Sequence, residues 1–65
     1  MEIMINGKRE NCTSGTIAEL LSKMSIPADT LVVELNGSII RQEQWPGITL
    51  KDGDMLELLN FVGGG

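Results

Sequence analysis

Apolar and polar residues alternate at the start of the chain, shift to a helical spacing, and then return to alternation. Met1, Ile3 and Ile5 fall on one face of a first strand, with Glu2 and Met4 on the other, as a pleated strand requires. Asn6-Gly7 follows, a pair suited to the two positive φ angles of a type I′ hairpin turn. Lys8 to Cys12 is the polar return strand, whose charges suit a sheet edge. Past Thr13-Ser14-Gly15, Thr16 and Glu19 stand at capping-box spacing. Ile17, Leu20, Leu21 and Met24 then recur at i, i+3, i+4 and i+7, predicting a helix to about Met24 with all four residues in the core. A helix this short is marginal alone and must be held by packing on a sheet. Pro27 disfavours helical geometry at Ile26 and closes the element.

Leu31 to Leu35 reads as a third strand with Leu31, Val33 and Leu35 on one face. Asn36-Gly37 repeats the hairpin signal, and Ser38 to Ile40 is a short return strand. Arg41 to Gly47 predicts a helical turn and an irregular connection, with Trp45 plugging one end of a small core. Ile48 to Leu50 pairs briefly, and Lys51-Asp52-Gly53-Asp54 turns the chain into a last strand, Met55 to Phe61. That strand places Leu56 and Leu58 on one face, Glu57 and Leu59 on the other. Apolar residues on both faces put it inside the sheet.

One helix can cover only one face of such a sheet. The other face carries Met4, Val32 and Leu59, with Phe61 and Val62 leading to Gly63-Gly64-Gly65. Apolar residues contributed by three strands beside a chain terminus read as a docking surface, although single exposed apolar residues are normal on any protein. The expected organisation is a folded domain over residues 1–61 and a flexible tail over 62–65. Three terminal glycines alone fit a frayed end equally well. They also have the freedom to enter a narrow channel, since glycine lacks a Cβ.

Composition narrows the chemistry. Sixty-five residues make one domain, and a chain of that size buries only about 60 % of its unfolded surface, which disfavours a deep catalytic pocket. The sequence contains no histidine and one cysteine, Cys12. These counts exclude an internal disulfide, a Cys-only zinc site, an iron–sulfur cluster and any His-dependent catalysis. Cys12 itself reads as a small buried apolar residue, with no neighbour in sequence to activate it. A net charge of −4 disfavours nucleic acid and suits a partner with a basic surface. With no secretory segment and no apolar run long enough for a bilayer, the expected compartment is the cytoplasm.

The N-terminal hairpin, the single amphipathic helix, Leu35-Asn36-Gly37, Arg41 to Trp45, Leu50-Lys51-Asp52-Gly53-Asp54 and the apolar strand closing on Val62-Gly63-Gly64-Gly65 together resemble the ThiS-type sulfur carriers of thiamine biosynthesis. The resemblance spans the whole chain. It is most specific in the Lys-Asp-Gly-Asp turn followed by an apolar strand and a terminal Gly-Gly. It implies an α+β, ubiquitin-like β-grasp fold: a mixed sheet of four to five strands, one helix on one face, and the first and last strands as parallel neighbours at the centre. It also implies a carrier rather than an enzyme. The Gly65 carboxylate is adenylated by a ubiquitin-activating-like adenylyltransferase using ATP and magnesium, neither of which this chain binds. Sulfur from a cysteine-desulfurase persulfide then replaces AMP, and the resulting thiocarboxylate serves thiazole synthase.

On this view Val62, Gly63 and Gly64 pass through the partner's channel, and the tail from Val62 reaches about 13–14 Å when extended. Met4, Val32, Leu59 and Phe61 dock the domain outside, and the free carrier is a monomer. Two rivals remain open from the residues alone. The small subunit of molybdopterin synthase shares fold, tail and activation, but is usually longer, with more structure where this chain has only Arg41 to Gly47. A ubiquitin-like protein modifier would need the same tail and would leave lysine-linked adducts instead of a thiocarboxylate.

Overall fold

A computed structural model describes residues 1–13 and 15–60. Its strands are β1 (Glu2–Ile5), β2 (Lys8–Asn11), β3 (Leu31–Leu35), β4 (Ser38–Ile40) and β5 (Met55–Asn60), with one α-helix, α1 (Ile17–Lys23), between β2 and β3. A 3₁₀ helix, Gln42–Gly47, joins β4 to the last part of the chain. The five strands form one sheet in the order β2-β1-β5-β3-β4. β1 and β5 are parallel neighbours, and every other pair is antiparallel. This is the mixed β-grasp sheet that the resemblance implies, with five strands and with β5 at its centre.

Both hairpins turn on Asn-Gly. Asn6 and Asn36 each sit at φ +51°, and Gly7 and Gly37 follow at +82° and +88°. Two successive positive φ angles define the type I′ geometry, which suits the twist of the flanking strands. At the helix N-terminus the Thr16 hydroxyl accepts from the Glu19 N–H at 3.2 Å, while the Glu19 carboxylate accepts from the Thr16 N–H at 2.8 Å. The Thr16 backbone N–H, then its hydroxyl and, more weakly, the Lys23 charge hold Glu19 below the ordinary carboxylate range.

The core lies between α1 and the covered face of the sheet. Ile3 and Ile5 of β1, Leu31 and Val33 of β3, and Leu56 of β5 meet Ile17 and Leu21 of the helix, with Trp45 and Leu50 closing the ends. Trp45 plugs the core as expected, and its indole N–H donates to the Ile40 carbonyl at 3.2 Å. That bond satisfies the one polar atom its ring carries.

Two expectations need correction, those for Met24 and Cys12. The helix ends at Lys23 and leaves Met24 at the C-cap, 41 % exposed. Ser25 then turns at φ +57°, so the last position of the stripe never completes the turn that would carry it inward. Ile48 to Leu50 does pair briefly, as expected, at one bridge outside the sheet: Thr49 bridges Thr16, with Ile17 N donating to Ile48 O at 3.0 Å and Leu50 N to Gly15 O at 2.9 Å. It therefore fixes the entry to α1. Cys12 is half-buried and ties the β2 edge to the chain start, its N–H donating to the Met1 carbonyl at 2.9 Å.

Candidate functional site

The site is built around β5, the strand that ends at Asn60 and is followed in sequence by the glycine segment. The β1 ladder reaches β5 only through Met4↔Met55 and Ile5↔Leu56. Beyond it the Asn6 side chain takes over the pairing. Its Oδ1 accepts from the Leu58 N–H at 2.7 Å, and its Nδ2 donates to the Leu58 carbonyl at 3.3 Å. From the second hairpin, Asn36 Oδ1 accepts from the Met55 N–H at 2.9 Å, and its backbone N–H donates to the Met55 carbonyl at 2.8 Å. At the far end the Thr30 hydroxyl donates to Asn60 Oδ1. The two Asn-Gly turns thus clasp β5 from opposite sides, near its end and at its start.

Asn6→Ala removes both side-chain bonds and puts an unsuited residue in the left-handed region, which should cost about 1–3 kcal/mol. Urea unfolding measures that loss, and faster amide exchange at Leu58 locates it. Asn6→Gly keeps the turn geometry and should fall between alanine and the parent, which separates the clasp from the backbone effect.

The face opposite the helix is bare among the described residues. By register it carries Arg9 on β2, Met4 on β1, Met55, Glu57 and Leu59 on β5, Val32 and Glu34 on β3, and Ile39 on β4. Val32 and Leu59 stand directly opposite each other, as do Met4 and Met55. Met4 and Val32 are half-buried, whereas Leu59, Met55 and Ile39 are 42 %, 54 % and 68 % exposed. The three expected residues within the described chain therefore share one face. Phe61, Val62, Gly63, Gly64 and Gly65 lie outside the described residues.

Met55 and Ile39 belong to the same patch and were missed by sequence reasoning, although strand alternation carries the signal. Met55 has the parity of Glu57 and Leu59, and Ile39 that of a residue opposite Glu34. Among the described residues no group of acidic or cysteine side chains is placed to hold a metal ion, and no helix is long and apolar enough to cross a membrane.

The arrangement holds β5 beside a partly apolar sheet face, paired to β3 along its length and to β1 and Asn6 as far as Leu58. The ThiS family model matches residues 3–65. The chain belongs to the ThiS family. Within it, the chain is 35 % identical over 65 residues to the sulfur carrier protein ThiS of Bacillus subtilis, covering 97 % of this chain and 98 % of that one. A crystal structure of the ThiS thiamine biosynthesis protein from Geobacter metallireducens superposes with a TM-score of 0.87 at 39 % identity, covering both chains completely. The thiazole synthase of Paramagnetospirillum magneticum contains a ThiS-like stretch 32 % identical to the whole of this chain. The chain spans about a fifth, 20 %, of the length of that relative. Membership of the ThiS family agrees with the β-grasp fold, including the parallel pairing of β1 and β5 that the resemblance implied and residue pattern could not supply.

Proposed function

We propose that this chain is a sulfur carrier of thiamine biosynthesis, a protein co-substrate rather than an enzyme, and that its reacting group is the α-carboxylate of Gly65. The observation that carries the reading is the family match running through residue 65, on a domain that clasps β5 and, among the described residues, leaves one sheet face bare. A carboxylate is a poor electrophile at neutral pH, where it is ionised. In an adenylyltransferase using ATP and magnesium, the Gly65 carboxylate attacks the α-phosphorus and pyrophosphate leaves. The mixed anhydride then has AMP as its leaving group. The terminal sulfur of a cysteine-desulfurase-derived persulfide displaces AMP, and a thiol cleaves the resulting S–S bond to release the thiocarboxylate. Thiazole synthase is the sulfur acceptor in this reading, supported by the relatives of that name that carry a ThiS-like stretch.

In this scheme Val62, Gly63 and Gly64 thread the partner's channel, where any side chain at Gly64 would meet its walls. Met4, Val32, Leu59 and Phe61 seat the domain at the channel mouth. The chain supplies no cofactor of its own, and it works as a free monomer in the cytoplasm until a partner captures it. ATP–pyrophosphate exchange tests the first step. Exchange by the adenylyltransferase should depend on this chain and disappear when Gly65 is removed. Exchange that persists without Gly65 would place the reacting group elsewhere.

A further inference from the structure

At the middle of the bare sheet face, Glu34 of β3 and Glu57 of β5 stand directly opposite each other across the antiparallel ladder. Like charges in that relation destabilise a sheet. Among the described residues neither carboxylate is in an ion pair. The ion pair found among the described residues is Arg41–Glu43, at 4.0 Å and exposed. The basic residue on the same face is Arg9, which registers against Met4 on the far side of β1, two strands from Glu57. Around the carboxylates lie apolar side chains on three sides: Val32 and Leu59 beyond one end, Met55 and Met4 beyond the other, and Ile39 beside Glu34. The pair is a polar centre bordered by apolar side chains, which could exclude water around a partner group held there.

The charge selects the occupant. A second copy of this chain meeting the face about a two-fold axis would bring four carboxylates together. An anionic lipid surface or a phosphate backbone would be repelled in the same way. Two adjacent carboxylates instead suit one planar guanidinium, whose fork of N–H donors reaches both at once, better than the point charge of a lysine. We infer that Glu34 and Glu57 form the specificity-determining centre of the docking face and receive an arginine of the partner protein, ringed there by apolar residues. Glu57 lies on the strand that runs on to the glycine segment, so an arginine held at this point fixes β5 relative to the partner's active site. The inference rests on the carrier reading above, and it adds the chemistry of the partner's surface.

Isothermal titration of the full chain against thiazole synthase, the proposed acceptor, tests it. Glu34→Gln and Glu57→Gln should each weaken Kd about tenfold and together about a hundredfold, the range for charge-assisted bonds buried on binding. The salt dependence of Kd should flatten in the double variant. The thermal midpoint of the double variant should hold or rise, because the cross-strand repulsion has gone. A merely structural role for the pair would lower it. Binding within about twofold of the parent in the double variant would overturn the inference, and so would failure of the parent to form the complex. The carrier reading is tested separately, by sulfur loading of Gly65. A loaded parent whose complex ignores both substitutions would sink the arginine site and leave the carrier standing.

Discussion

Leu56→Ala is expected to leave the chain largely unfolded at physiological temperature. Leu56 is 1 % exposed and registers against Ile5 on the parallel side of β5 and Leu35 on the antiparallel side. β1 and β3 do not pair with each other, so the two hairpins are joined through β5. Removing the side chain at that junction opens a cavity lined by both halves, and a buried leucine truncated to alanine costs about 2–5 kcal/mol. A domain of this size rarely has more than about 3–5 kcal/mol in total. Differential scanning calorimetry should show the midpoint falling by more than about 10 °C, given about 4–8 °C per kcal/mol in small domains. A fall of only a few degrees would mean that the surroundings collapse onto the site, or that the hairpins are coupled by some other contact.

Leu59→Asp should do the opposite: leave the fold and destroy the docking. Leu59 is three residues further along the same strand, but its parity turns it to the bare face, where it is 42 % exposed opposite Val32. Its loss removes little core packing, so the midpoint should move by only a few degrees. In a complex, the same position would put an unpaired carboxylate into a desolvated apolar surface. Hot-spot truncations cost at least about 2 kcal/mol, and a buried unpaired charge adds to that. Binding to the adenylyltransferase should therefore weaken by about a hundredfold or more. Collapse of the fold on this substitution would show that a core residue had been taken for a surface one. A folded variant with unchanged affinity would move the docking face elsewhere.

The contrast between these two leucines shows how far the residues alone can be read. Their opposite fates follow from strand parity, a local property, and so do both hairpins, the capping box and the assignment of Met4, Val32 and Leu59 to one face. Each is written within a few neighbouring residues. The features that required the structure depend on contacts distant in sequence. The parallel pairing of β5 with β1 was supplied by family resemblance and its pairing with β3 by the structure, because pattern cannot order strands. The Asn6 clasp on Leu58 joins residues from opposite ends of the chain, and the turn signal at Asn6-Gly7 says nothing of where its side chain goes. The opposition of Glu34 and Glu57 is a matter of register, which no single strand encodes. Met24 was misplaced because helical periodicity says which face a residue belongs to while the helix lasts, and the helix stops one residue short of it.

The central claim is that Gly65 carries sulfur. Intact-protein mass spectrometry, after incubation with the adenylyltransferase, ATP, magnesium and a persulfide donor, tests it most directly. The account predicts a gain equal to exchanging one oxygen for sulfur, confined by fragmentation to the C-terminal residue and lost when Gly65 is deleted. An unchanged mass in the presence of an adenylyltransferase proven active on another carrier would contradict it.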